Sequence, residues 1–335
     1  MMKKILMIAT GGTIASKPGI NGLSPQISPE DILSCVPEIA ALCQVETLQL
    51  CNLDSTNLNC DHWLAMADCI EKNYDEFDGF VITHGTDTMA YSAAALSYLV
   101  QNSRKPIVLT GSQKSIYLRD TDARRNLHDA FLYACDDHAH NVRLVFDGKV
   151  ILGTRARKTR TKSFNAFSSI DYPEVAVVRG GKLVYFIPDT LAYPRHPIFY
   201  RSLDPKVFVL KLIPGVDPSI LSYLKEHYDA VILESFGVGG VPSYNGDSAF
   251  TDAIHDWIAC GKTIIITTQV PHEGSDIAVY EVGHSIKNEF GVLENYDMPL
   301  EAVVTKTMWI LGQTRNPELI RRMFYAPIQK DIISN

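Results

Sequence analysis

Short apolar runs recur along the chain, each closed by small polar residues. The first is Ile5-Leu6-Met7-Ile8-Ala9, within a strand expected over 4–9. Similar runs follow at 45–51 (VETLQLC), 79–83 (GFVIT), 106–110 (PIVLT) and 142–146 (VRLVF). Short β-branched runs bounded by turn signals suit strands buried on both faces. Between them the period changes. Trp63, Ala67 and Ile70 recur at helical spacing within 60–74, and an alanine-rich stretch covers 89–100. Another helix opens at Ser28-Pro29-Glu30-Asp31, where Ser28 is placed to cap and Asp31 lies three residues on. This alternation predicts βαβ units and an α/β fold with a doubly wound, mostly parallel sheet.

The rhythm breaks near 187–205, where IPDTLAYPRHPIFYRSLD carries three prolines. Beyond it, strands are expected at 208–213, 230–234 and 263–268, with helices near 219–227, 248–260 and 300–311. The pattern predicts a large N-terminal α/β domain over 1–187, a linker over 188–205 and a smaller C-terminal α/β domain over 206–335.

Composition changes this picture little. The 335 residues are 46% hydrophobic and 21% charged, ordinary for globular domains. The net charge is −7, and the one short basic run, TRARKTRTK at 154–162, reads as well as a solvated loop or strand edge. No nucleic-acid partner is expected from it. No apolar run approaches the length of a membrane span, so no membrane partner is expected. The opening MMKKILMIATGG mimics an export leader, but its apolar run of five residues is short for one and reads as a buried strand. Seven cysteines lie at 35, 43, 51, 60, 69, 135 and 260, without a C-x-x-C pair. That spacing offers no zinc site, and the scatter suits a reducing cytoplasm.

The chemistry gathers where strands end. The first expected strand runs into Thr10-Gly11-Gly12-Thr13, the second into NLDSTN at 52–57, the third into HGTDT at 84–88 and the fourth into TGSQKS at 110–115. In a parallel sheet these ends share one edge, where ligands of open α/β sheets bind. The edge would be lined by Thr13, Asp54, Ser55, Thr86, Asp87 and Ser112. Gly11-Gly12 has three readings: a plain tight turn, a phosphate loop, or a mobile loop carrying a reactive hydroxyl. The phosphate-loop spacings are absent. Hydroxyls, a carboxylate and backbone N–H groups at a helix start suit a small zwitterion. Thr13 or Thr86 becomes a nucleophile if a partner removes its proton. His84 reads as structural rather than as a base, and Lys158 as either a base or a solvated charge.

TGGTI near the start and HGTDTM further on together resemble the bacterial-type L-asparaginases, and the likeness continues through DSTN, GSQ, GTRARKTRTKSFNAF and ESFGVGGVP. The absence of an export signal is similar to the cytoplasmic type I branch. The resemblance implies hydrolysis of L-asparagine to L-aspartate and ammonia, with no cofactor and no metal, by a homodimer or homotetramer of two-domain protomers. It implies that Thr13 is the primary nucleophile on a loop hinged at Gly11 and Gly12. It further implies that Thr86, Asp87 and Lys158 form a second catalytic cluster. By the same resemblance, Asp87 holds the substrate ammonium, Ser55 and the backbone at Gly85 and Thr86 hold its carboxylate, and Ser112 faces the side-chain amide.

The chain departs from the family at two places. Relatives often carry a loop tyrosine where this chain reads NGLSP, with Leu23 in its place. Some type I relatives use instead a tyrosine of the second domain, and DIAVYEVG offers Tyr280 as either that relay or a packing residue. Gly239-Gly240 stands where relatives often have an asparagine, and Glu281 is a candidate contact for a ligand amine. Two other functions are weighed. An ammonia-supplying amidotransferase subunit for tRNA charging shares the motifs but carries an extra N-terminal domain, for which TGGT at residue 10 leaves no room. A non-catalytic amino-acid sensor would not require Lys158.

Overall fold

Ile5 to Ala9 are buried without exception and form the middle of strand β1 (Lys4–Gly11). The computed structural model describes residues 2–19, 22–187, 196–243, 248–279 and 291–333. The chain divides into two compact units, Met1–Arg201 and Ser202–Asn335. Of the segment expected as a linker, residues 188–195 lie outside the described residues.

In the first unit β1 is followed by a hairpin of β2 (Ser16–Gly19) and β3 (Gly22–Pro25), then α1 (Pro29–Ser34) and β4 (Gln44–Leu53). Next come α2 (Cys60–Asn73), β5 (Gly79–Thr83), α3 (Met89–Leu99), β6 (Val100–Gln101) and β7 (Pro106–Thr110). After α4 (Ala123–Ala134) the chain turns to strands: β8 (Asn141–Phe146), β9 (Lys149–Leu152), β10 (Ala156–Lys158), β11 (Phe167–Ser169), β12 (Ala176–Arg179) and β13 (Lys182–Tyr185). The short β14 (Ile198–Phe199) pairs with β6.

One sheet of eight strands has the order β13-β12-β9-β8-β7-β5-β1-β4. The pairs β4/β1, β1/β5, β5/β7 and β7/β8 are parallel, whereas β8/β9, β9/β12 and β12/β13 are antiparallel. The parallel part is doubly wound. From β1 the chain goes first to β4 on one side, then to β5 on the other. The winding reverses between β1 and β5, and this switch point is where such sheets leave a crevice. Ile5, Met7, Val81 and Val108 alternate along these strands and share one core with Leu127 and Phe131 of α4. Ser28 caps α1, its hydroxyl accepting from Asp31 N–H at 3.1 Å. Asn59 and His62 form a capping box at the start of α2, whose Trp63, Ala67 and Ile70 are buried as their spacing predicts.

The second unit holds a parallel sheet of β15 (Val207–Lys211), β16 (Ala230–Ser235), β17 (Thr263–Thr268) and β18 (Leu293–Glu294), in that order. Helices α5 (Ser219–His227) and α6 (Ala249–Ala259) connect the first three, and helices Leu300–Gln313 and Pro317–Tyr325 follow. Trp257 of α6 is fully buried and donates to Leu221 C=O at 2.7 Å. Lys306 and Asp331 form a wholly buried ion pair at 2.7 Å near the chain's end. Among the described residues no helix is long and apolar enough to cross a membrane.

Candidate active site

The glycine pair that ends β1 is fixed by close approach of other backbone. Gly11 (φ +104°) lies in register with Leu53, and a Cβ there would sit 2.5 Å from the Leu53 carbonyl oxygen. Gly12 (φ +78°) leaves no more room: its Cβ would meet the Gly85 nitrogen at 2.4 Å. Only glycine tolerates both the dihedral and the contact. The pair is therefore a packed junction between strand ends, a role that neither the plain-turn nor the hinge reading includes. Gly12 also donates to Leu53 C=O at 2.9 Å and accepts from the Ser16 hydroxyl at 2.8 Å. Thr13 follows at the start of a tight turn (Thr13–Ala15), and it is half-buried. Its hydroxyl has no hydrogen-bond partner among the described residues.

Gly12 touches Gly85, so the ends of β1 and β5 meet at the switch point. Gly85 in turn packs on the end of β4, where its own Cβ would lie 2.6 Å from Ser55 Oγ. Ser55 is buried, and its carbonyl accepts from the Thr88 hydroxyl at 2.8 Å. Asp54 is exposed, and its carboxylate accepts from both the N–H and the hydroxyl of Thr56 at 2.9 Å, capping the turn Ser55–Asn57.

Thr86 and Asp87 lie just before α3, with Thr86 buried. Lys158 ends β10, in the basic run, and reaches back to them. Its Nζ donates to Thr86 Oγ1 at 2.7 Å and to Asp87 Oδ1 at 2.5 Å. The lysine side chain is only 17% exposed, whereas that of Asp87 is 58% exposed. Lys158 is thus an anchored donor, not a solvated charge. Asp87 Oδ2 has no partner among the described residues, so the carboxylate still offers an oxygen to a cation.

One residue of this cluster escapes the sequence reading. Gln113, in the loop after β7, accepts the Thr86 hydroxyl proton at 3.2 Å and donates to Ser163 C=O at 3.2 Å. The loop is shaped from beneath by Asp122. Its buried carboxylate accepts from Gln113 N–H and Lys114 N–H, while Asn126 bridges it to Gly111 C=O at 3.0 Å. Burial pushes the Asp122 carboxyl above its usual range, against the pull of those donors. The signal in the sequence is the polar cluster Asp120-Thr121-Asp122 before an amphipathic helix, a turn-and-cap pattern without its own chemistry. Ser112 is buried and gives its hydroxyl to Lys114 C=O at 2.5 Å, so it serves the same loop. Tyr280 and Glu281 lie outside the described residues.

His84 is wholly buried below this edge. Burial pulls its imidazole down to about 4, so the ring is neutral at physiological pH. It is not a base exposed to the cleft.

A hydroxyl without a partner, a second hydroxyl held by an amine and a half-free carboxylate thus surround one switch point. Residues 4–190 match the model of the asparaginase N-terminal domain, and residues 206–324 that of the glutaminase/asparaginase C-terminal domain. The chain belongs to the asparaginase family. It is 37% identical to the L-asparaginase of Thermococcus kodakarensis, over 98% of this chain and 99% of that one. The solved structure of that thermostable enzyme superposes with a TM-score of 0.91, covering 99% of this chain and all of the other. L-asparaginase I of Vibrio cholerae gives a TM-score of 0.89 at 25% identity, over the full length of both. A component of the glutamyl-tRNA(Gln) amidotransferase of Pyrococcus abyssi is 30% identical and matches 96% of this chain but 75% of its own length.

Proposed function

We propose that this chain hydrolyses L-asparagine to L-aspartate and ammonia, with Thr13 as the nucleophile. The observation that carries the reading is the convergence of Lys158 on Thr86 and Asp87, at a strand end packed against Gly12, whose neighbour Thr13 has a hydroxyl without a partner among the described residues. Binding an amino acid alone would not require the lysine. In the proposed reaction Thr13 Oγ adds to the side-chain amide carbon as its proton leaves. The C–N bond then breaks, and the nitrogen departs as ammonia with the proton it gains. Water hydrolyses the resulting ester, freeing L-aspartate and restoring the hydroxyl. Asp87 Oδ2 binds the substrate ammonium, and Ser55 with the backbone at Gly85 and Thr86 binds its carboxylate. Asp54 and Ser112 hold the loops on either side, and Lys158 with Thr86 assists proton transfer. Leu23 supplies no proton relay, which leaves Tyr280 and Lys158 as the candidates to activate Thr13. The protein acts in the cytoplasm as a homodimer or homotetramer, which sedimentation would read directly.

Steady-state ammonia release from both amides, without tRNA, is the deciding experiment. L-Asparagine should be turned over, with L-glutamine poorer by about 10- to 100-fold, the discrimination one methylene usually supports. Binding without ammonia release would favour a sensor. Release that depends on added tRNA would favour the amidotransferase.

A further inference from the structure

Two of the seven cysteines meet, far from the candidate site. Cys43 stands just before β4 and is buried, whereas Cys135 caps the C-terminal end of α4 and is half-buried. They are 92 residues apart in sequence, yet both pack on one apolar core with Ile39 and Phe131. Lys3 ties their two segments together. Its carbonyl accepts from Gln44 N–H at 2.9 Å, one residue after Cys43. Its Nζ donates to Asp136 C=O at 3.1 Å, one residue after Cys135, and pairs with Asp137 at 2.8 Å. The two thiols hydrogen-bond to each other. Cys35 also borders this core, but its thiol donates instead to Asp31 C=O at 3.4 Å.

The pair is asymmetric. A thiolate, not a thiol, attacks sulfur. The Cys43 thiol donates to Cys135 and draws it below its ordinary value, and the Lys3 ammonium adds to this against burial and Asp78. Cys43 is pushed up, first by the same bond and then by burial. Cys135 therefore reaches thiolate first, and it is also the thiol more open to solvent.

We propose that Cys43 and Cys135 form a redox modification site, which a small organic disulfide closes into a staple between the start of β4 and the end of α4. The Cys135 thiolate attacks one sulfur of the reagent, and the other sulfur leaves as thiolate with the bonding pair. Cys43 then loses its proton and attacks Cys135 Sγ, which expels the second reagent thiolate. The protein dithiol gives up two electrons, and the reagent, taking two protons, becomes two thiols. The strand β4 carries the chain from Cys43 to Ser55, and α4 runs from Asp122 to Cys135. The staple thus joins the far ends of two elements that shape the candidate site, without entering it. It is independent of the reaction proposed above.

Oxidised glutathione, added to the full chain in native buffer, is the test. Cys260 is exposed and takes up the reagent by itself, so the readout is a peptide map without reduction. It should show the Cys43 and Cys135 peptides joined, and dithiothreitol should part them. Cys43→Ser should trap glutathione on Cys135, and Cys43→Ala repeats that trap if the serine fails to fold. Cys135→Ser should leave Cys43 a free thiol. The linked wild type should unfold at higher urea than the reduced protein, because closing so long a loop restricts the unfolded chain. No joined peptide in native buffer, a link from either cysteine to a third, or glutathione on Cys43 in Cys135→Ser would overturn the proposal. An unmoved urea midpoint would overturn the staple.

Discussion

At the scale of single residues, two threonine hydroxyls of the candidate site differ in how they are held. The Thr13 hydroxyl has no partner among the described residues, whereas that of Thr86 is gripped from both sides by Lys158 and Gln113. Thr13→Ala should therefore remove most ammonia release while leaving the melting temperature near that of the wild type. Near-normal turnover by the purified variant would remove Thr13 from the mechanism. Lys158→Met leaves Thr86 without its donor and should cost about 10²- to 10⁴-fold in kcat, the usual range for proton-transfer assistance. Tyr280→Phe should lower kcat similarly at unchanged Michaelis constant if the phenol relays the Thr13 proton. Asp87 differs from these because the role proposed for it is mainly attraction. Asp87→Ala should weaken L-aspartate by about 10- to 100-fold, as charge-assisted hydrogen bonds do. Calorimetric titration of L-aspartate into both proteins checks it. Equal affinity would mean that another group holds the ammonium.

At the scale of elements, the site depends on how closely the ends of β1, β4 and β5 approach. Gly12→Ala forces a Cβ onto the Gly85 backbone, which cannot move without shifting β5. It also strains a positive φ. Together these should cost about 2–5 kcal/mol and abolish activity. Gly85→Ala meets a side chain instead, Ser55. Adding Ser55→Gly should recover part of the stability lost in Gly85→Ala, whereas no such partner exists for Gly12→Ala. Denaturant midpoints of the single and double variants read this difference, and equal rescue of both would refute it. The strand ends are what the sequence makes legible. Strands β1 and β5 are buried apolar runs closed at once by the polar TGGT and HGTDT, while β4, expected to be buried on both faces, is a half-exposed edge strand whose end is marked by DST, so Thr13, Ser55, Thr86 and Asp87 can be placed on one edge. Lys158 is not legible that way. It comes from the two-stranded ribbon β10–β11, where three residues on each side carry no period, and only the family resemblance assigns it a role. The antiparallel strands from β9 to β13 escape for the same reason. Helix α4 escapes because its first turn, Ala123-Arg124-Arg125-Asn126, offers the core only the small Ala123, and larger apolar residues begin at Leu127.

At the scale of the whole molecule, the buried imidazole couples the fold to pH. His84 would titrate near 6.5 in the unfolded chain and falls to about 4 when folded. Its pKa is lowered on folding, so between these values the unfolded state binds the extra proton. Its contribution is fully present above pH 6.5 and is lost as pH falls through about 4. That interval amounts to about 3 kcal/mol of stability lost over the window. The Gly85 carbonyl, which accepts from the ring, opposes this by favouring the protonated form, and burial outweighs it. Asp122 and Asp129 act with the opposite sign, because burial raises both carboxyls above their ordinary 3.8 and the folded state takes up their protons first. Their effect begins at about 3.8 and opposes the histidine slope above it. Exposed ion pairs such as Lys72–Asp68 contribute little at any pH. Two units in one chain do not guarantee a single transition, so a local probe is needed. Hydrogen exchange of the peptides covering α2 and α3, corrected for its intrinsic pH dependence, reports the stability around His84 directly. Protection in the wild type should fall steadily from pH 6.5 toward 4, and His84→Asn, with no proton to accept there, should flatten that fall. A variant with the wild-type slope would place the acid sensitivity in some other group and leave His84 a neutral spacer.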